Sequence, residues 1–263
     1  MEVEAAVRAS GDSVMRAKYG RAVYVVQRAF ALYPFDEIAF SFNGGKDSTV
    51  LLHLLRAGYY LHRTSSGNGD QTDCTIQNCP MRTIYFEDPT AFPEINSFTY
   101  DTASTYGLPL ETIRTDFKSG LEALLKEKPT KAIFLGTRNG DPNAVGQEEF
   151  SPSSPGWPPF MRVNPILDWS YRDVWSFLLT CKVNYCSLYD QGYTSIGSIH
   201  DTVPNAQLSD GLGGFKPAYM LTDGTLERAG RANKVNKKKE VDGYSETSSI
   251  TSAKPRQQQM SRL

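Results

Sequence analysis

The sequence predicts one α/β domain: a three-layer, open, mostly parallel twisted sheet with helices on both faces. Three observations predict it. Apolar segments of strand length alternate with amphipathic segments of helix length between residues 13 and 181. Such alternation implies crossover connections, which join parallel strands. A glycine-rich turn, "FNGGKDS" (42–48), hands a strand over to a helix, and open parallel sheets bind ligands at the carboxyl ends of their strands.

The elements follow in order. "SVMRAKYGRAVYVVQRAFALY" has helical spacing that puts Val14, Ala22, Val25, Val26 and Ala29 on one face. "EIAFSF" is a strand, and "DSTVLLHLLRAGYY" after the turn is a helix. Residues 63–82 are polar and turn-rich and read as an insertion. "TIYFE" and "LPLETIR" are strands, each followed by a helix, "PEINSFTYDTASTYG" and "FKSGLEALLKEKP". "KAIFLG" is a strand, and a Gly-, Pro- and Ser-rich loop runs on to Pro159. "MRVNPIL" is extended, and "DWSYRDVWSFLLTC" is helical with Asp168 or Ser170 as its cap. From Lys234 onward the chain is polar, so the expected organisation is a domain over 1–233 and a disordered tail over 234–263.

Of 263 residues, 40% are hydrophobic and 22% charged, enough apolar surface for one sizeable core. A net charge of −1 gives no general attraction to nucleic acid or anionic membranes, so an anionic substrate must be met by local cations. No apolar run reaches about 20 residues and the start lacks a signal-peptide core, which makes an intracellular protein the expectation. Cys74, Cys79, Cys181 and Cys186 are wider spaced than a usual zinc knuckle and read as reduced thiols. His53, His62 and His200 read as packed or solvated.

A glycine-rich turn into a helix presents backbone amides and the positive end of the helix dipole, a phosphate seat. Gly44 and Gly45 allow close approach, Lys46 adds charge and Ser48 a hydroxyl. The Walker loop is excluded because Asp47 stands where Ser or Thr must follow the lysine, and the three spaced glycines of dinucleotide loops are absent.

"FNGGKDS" after a strand resembles the loop of the PP-loop ATP pyrophosphatases, which split ATP between its α and β phosphates. "RVNPILDWSYRDVWSFL" is similar to a segment shared by phosphoadenosine-phosphosulfate reductases, ATP sulfurylase small subunits and eukaryotic FAD synthases. The last group matches best over about residues 20–232, through Asn43, "GTRNGDP" (136–142), "SPSSPGWPPFMRVNPILDWSYRDVW" (151–175), "YCSLYDQGYTSIG" (185–197) and "LERAGR" (226–231). The reductase chemistry needs a cysteine near the C-terminus, yet none follows Cys186, and Ser198 and Asp201 stand where relatives carry a cysteine pair. A sulfate adenylyltransferase-like enzyme and a non-catalytic nucleotide sensor remain the alternatives.

The resemblance implies an adenine nucleotide alpha hydrolase-like fold and magnesium-dependent transfer of AMP from ATP to FMN, giving FAD and pyrophosphate. It implies ATP contacts at Ser41, Phe42, Asn43, Gly44, Gly45, Lys46, Asp47, Ser48, Tyr85, Phe86 and Arg138. It implies FMN contacts at Asp141, Trp157, Phe160, Arg162, Asp168, Arg228 and Arg231, with Asp168 alternatively a helix cap. Asp47 and Asp141 would hold Mg²⁺, and Asn43, Asp47, Asp141, Arg228 and Arg231 would form the catalytic set. The expected partners are these small molecules, with no nucleic acid, membrane or obligate protein, in a monomer or weak oligomer. The expected location is the cytoplasm, with the terminal "SRL" resembling a peroxisomal address as the alternative.

Overall fold

The computed structural model describes residues 2–65 and 81–232. Most of the 63–82 segment, Cys74, Cys79, the segment 234–263 and the terminal Ser-Arg-Leu lie outside the described residues. The sheet and its helices belong to the unit Met1–Arg231.

Six strands form one sheet: β1 (Ile38–Ser41), β2 (Arg82–Phe86), β3 (Leu110–Ile113), β4 (Ala132–Phe134), β5 (Phe150–Pro152) and β6 (Met161–Val163). Their order is β3-β2-β1-β4-β6-β5, with every neighbouring pair parallel except β5 with β6. The helices are α1 (Glu2–Ala9), α2 (Ser13–Leu32), α3 (Lys46–Ser65), α4 (Pro93–Tyr106), α5 (Phe117–Glu127) and α6 (Tyr171–Thr180).

Alternation along β1 builds the layers. Ile38 and Phe40 face α2 and α3, where they meet Val25, Val26, Phe30, Leu51 and Leu55. Ala39 points the other way, into a cluster with Ile84, Ile133 and Leu121 and Leu124 of α5. Burying a side chain such as Phe40 or Leu51 stabilises the fold by about 1.5–3 kcal/mol. β1 is thus covered on both faces and sits at the centre, which fixes the turn at its end.

Several expectations need correction. Val14 is 58% exposed. Asp12 caps α2 by accepting from the Val14 and Met15 amides, which starts the helix with Val14 in its first turn, before the buried face begins. That face runs through Met15, Tyr19, Ala22, Val25, Val26 and Ala29. Helix α1 carries one buried residue, Val7, too weak a period to read from sequence. Strand β5 lies inside the predicted long loop; as an edge strand it tolerates Pro152. At α6 the cap is Ser170, whose capping box with Asp173 leaves Asp168 outside that role. Trp169 is an anchor, 2% exposed and edge-on to Phe177.

After α6 the described chain contains only 3₁₀ turns, at Ser187–Gln191, Ala206–Leu208, Ala218–Met220 and Gly224–Leu226. It returns to the sheet's end by an antiparallel bridge of Ser198 to Ala91 and by the Ile199 amide donating to Thr90 O at 2.9 Å. Among the described residues no helix is long and apolar enough to cross a membrane.

Candidate active site

The turn between β1 and α3 is closed by its own side chains. Gly44 takes φ +69°, a left-handed conformation that glycine adopts without strain, and a Cβ there would lie 2.4 Å from Thr99 Oγ1. The Gly45 amide donates to Asn43 Oδ1 at 3.0 Å, and the Ser48 hydroxyl lies 2.7 Å from the same oxygen. At the helix start the Lys46 amide donates to the Tyr189 hydroxyl at 2.9 Å. The Gly45 and Lys46 amides are therefore bonded internally, and the Ser48 hydrogen is directed into the loop. Asn43 is exposed at the turn, with its Oδ1 taken by the Gly45 amide and the Ser48 hydroxyl. Phe42 is fully buried and its own amide donates to Ile84 O, so it builds the core under the turn.

Lys46 and Arg138 are buried cations, 2% and 4% exposed. Lys46 Nζ lies 3.1 Å from Asp47 Oδ2 and also pairs with Glu227 Oε1. Arg138 Nε lies 2.7 Å from Asp47 Oδ1, and its Nη2 donates to both Glu227 oxygens at 2.8 and 2.7 Å. Four groups from three distant segments thus close a ring of two cations and two carboxylates. Burial alone would discharge Lys46, but Asp47 and Glu227 more than offset it and hold the ammonium above its ordinary range. Arg138 is held up in the same way, and burial of Asp47 is outweighed by both cations, so its carboxyl stays low. Lys46 also sits over the rings of Tyr171 and Tyr189, 5.4 and 5.9 Å from their centroids.

Asp141 follows the end of β4 in the segment "GTRNGDP", and its Oδ2 accepts from the Arg138 amide at 2.8 Å. Burial pushes its carboxyl above the usual range, opposed by that amide and by the guanidinium. Asp47 and Asp141 both line one polar cavity of about 370 Å³, with Asn43, Lys46, Arg228 and Arg231. Among the described residues no group of three or more His, Cys, Asp or Glu is arranged as a metal cage. Magnesium, which is bound through one or two carboxylates plus waters and substrate phosphates, needs no such cage; Asp141 and Asp47 are the aspartates this cavity offers it, with both Asp47 oxygens against Lys46 and Arg138.

Two further cavities adjoin the polar one. An apolar cavity of about 550 Å³ shares Ser41, Leu135, Thr137 and Asn143 with it. Its walls include Ile84 and Phe86 of β2 together with Trp157, Phe160 and Arg162. The strand expected to take adenine and the loop residues expected to take flavin therefore meet in one space. Arg162 is fixed by Pro152 O and Ser154 Oγ, each at 3.0 Å, and Trp157 packs edge-on to Phe117. On the other side lies a cavity of about 540 Å³ lined by Arg138, Asp141, Tyr171, Arg172 and Arg228.

Arg231 lies flat against Gly197, where a Cβ would meet the guanidinium at 2.1–2.4 Å, and its Nη2 is 3.4 Å from Asp201 Oδ2. Asp168 and Tyr85 have partners of their own in the fold. The Asp168 carboxylate lies 3.4 Å from Lys18 Nζ of α2, so it braces that helix. The Tyr85 side chain turns towards α4, hydrogen-bonding Asn96 and meeting Tyr100 edge-on, and leaves the cavity to its strand neighbours. Two residues that sequence reasoning missed, Tyr189 and Glu227, sit inside "YCSLYDQGYTSIG" and "LERAGR". Those stretches carried the signal but did not say which side chains turn inward.

The fold and site define a class, an α/β domain with a polar, cation-bearing cavity at the first strand's end. Consistent with that class, the phosphoadenosine phosphosulfate reductase domain family matches residues 118–204. The chain is 41% identical over 211 residues to a probable FAD synthase of Schizosaccharomyces pombe, covering 80% of this chain and 77% of that protein. It is 38% identical over 224 residues to a probable FAD synthase of Caenorhabditis elegans, covering 82% of this chain and 40% of that longer protein. Yeast FAD synthetase in complex with FAD superposes with a TM-score of 0.74 at 26% identity, covering 88% of this chain and 95% of that one. The chain belongs to the FAD synthase family.

Proposed function

We propose that the chain transfers the adenylyl group of ATP to the phosphate of FMN, releasing pyrophosphate and giving FAD. The observation that carries this reading is buried Lys46 facing a polar cavity that shares Ser41, Leu135, Thr137 and Asn143 with a second one walled by Phe86, Trp157 and Phe160, with buried Arg138 tied to Lys46 through Asp47 and Glu227. A ring system beside a row of phosphates is the shape that such a pair of cavities accepts.

The attacking FMN phosphate oxygen is already largely ionised near neutral pH, since the second phosphate pKa is about 6. No general base is required. The protein's work is to align two anions and to stabilise charge on the departing pyrophosphate. Lys46, Arg138 and the Asn43 amide meet the β and γ phosphates, while Arg228 and Arg231 meet the phosphates on the FMN side. Phe86 and its strand supply the adenine wall, and Trp157, Phe160 and Arg162 supply the flavin wall. Asp47 and Asp141 would hold magnesium, which when bound supplies neutralisation of phosphate charge.

The purified chain incubated with ATP, Mg²⁺ and FMN should form FAD and pyrophosphate, resolved by chromatography. Formation of adenosine phosphosulfate from sulfate with FMN untouched would overturn the reading, as would ATP binding without turnover. The near-neutral charge supports small-molecule substrates over nucleic acid. We place the protein in the cytoplasm, and a reporter carrying residues 252–263 would instead become punctate if the terminal Ser-Arg-Leu is read as a peroxisomal address.

A further inference from the structure

The ring of charges around the phosphate seat contains one carboxylate that the transfer reaction does not call for. Glu227 pairs with Lys46, which lines the polar cavity, and with both of its oxygens meets Arg138, which lines the adjoining cavity of about 540 Å³; Glu227 itself lines both. It reaches them from a segment 89 residues beyond Arg138 and 181 beyond Lys46. Its backbone is pinned: the Thr194 hydroxyl donates to Glu227 O at 2.6 Å, and Asn205 Nδ2 donates to Leu226 O at 2.9 Å and to Thr194 Oγ1 at 3.0 Å. Thr194 and Asn205 are themselves buried, 1% and 0% exposed. The carboxylate is thus held over the cations on a fixed stem.

Resting on the phosphate seat proposed above, we infer that Glu227 is a positioning residue that stands in for phosphate. When no phosphate is bound, its carboxylate neutralises Lys46 and Arg138, keeping Lys46 at the polar cavity and Arg138 at the adjoining one. A triphosphate or pyrophosphate takes the same two cations and turns Glu227 aside, and Glu227 competes for them again when pyrophosphate leaves. Two buried cations with Asp47 alone would carry an uncompensated charge, so a second anion is needed whenever the seat holds no phosphate. The arrangement weakens pyrophosphate binding and speeds release of that product, because the phosphate must displace a charge-assisted pair. Glu227 touches no reacting atom and makes no bond to substrate.

The test is titration of inorganic pyrophosphate into the full chain at fixed magnesium, without FMN, followed by calorimetry. Glu227→Gln keeps the shape and removes one negative charge a few ångströms from a polyanion, and should tighten pyrophosphate binding about tenfold or more. Glu227→Asp keeps the charge but withdraws it by one methylene, and should fall between Gln and the natural residue. In turnover assays Glu227→Gln should lower the KM for ATP and lower kcat together, with stronger inhibition by added pyrophosphate. Equal or weaker pyrophosphate binding by Glu227→Gln overturns the inference; a merely structural glutamate gives that result. If circular dichroism shows Glu227→Gln unfolded, Glu227→Asp decides alone by the same criterion. Failure of the natural chain to bind pyrophosphate would overturn the phosphate seat itself, an outcome distinct from failure of the inference.

Discussion

The Tyr189 hydroxyl accepts the Lys46 backbone amide at 2.9 Å, joining the start of α3 to a 3₁₀ turn 143 residues further on. The phenol occupies the helix N-terminus beside the phosphate seat, and its oxygen lies 3.7 Å from where a Cβ on Gly45 would stand. Tyr189→Phe leaves a buried amide without an acceptor, a cost of about 1–3 kcal/mol. For a domain of this size that corresponds to a melting temperature lower by about 2–4 °C per kcal/mol. The KM for ATP should rise with it. A thermal midpoint and KM both unchanged would remove Tyr189 from the site.

Gly197 should matter through Arg231. Its Cα side is covered by the guanidinium, and any Cβ would stand 2.1–2.4 Å from three guanidinium atoms. Gly197→Ala therefore displaces Arg231 without altering its charge. Gly197→Ala and Arg231→Ala should both raise the KM for FMN by a similar factor, about tenfold or more, the loss expected for one charge-assisted phosphate contact. Normal FMN kinetics in Gly197→Ala would show that the arginine acts from elsewhere or not at all.

His53 makes acid sensitivity predictable. It is 5% exposed, and burial followed by the nearby Arg56 charge pushes its imidazole down to about 3. In the unfolded chain an imidazole takes a proton below about pH 6.5. Between those values the unfolded state binds one more proton, so stability falls as pH drops and this loss is complete near pH 3. The slope is about 1.4 kcal/mol per pH unit. Unfolding free energies of His53→Leu from urea titrations between about pH 6 and 4 should fall less steeply than those of the natural chain by about 1.4 kcal/mol per pH unit. Parallel slopes would contradict a buried neutral histidine.

The order of elements and the glycine turn were legible because they rest on local rules: strand–helix alternation, paired glycines at a turn, and apolar periodicity. "EIAFSF", "TIYFE" and "KAIFLG" carried β1, β2 and β4 plainly, being buried on both faces. What escaped were features that depend on distant partners. Strand β5 forms because β6 offers it a hydrogen-bonding edge, and nothing in "FSP" alone says so. Glu227 gains its place from Thr194 and Asn205, neither of which stands near it in sequence. Asp168 reads as a possible cap in sequence, since an acidic residue stands just before the helix, but Ser170 takes that role and Asp168 pairs with Lys18. Trp157, Phe160 and Arg162 were separable from Ile84 and Phe86 in sequence but share one cavity in space.

The transfer itself is tested most directly by ATP labelled at either its α or its γ phosphorus, incubated with the chain, magnesium and FMN. The account predicts that α label appears in FAD in step with flavin consumed, and that γ label appears only in pyrophosphate. Label from the γ position reaching a flavin product, or α label remaining in AMP with FMN unchanged, would contradict it.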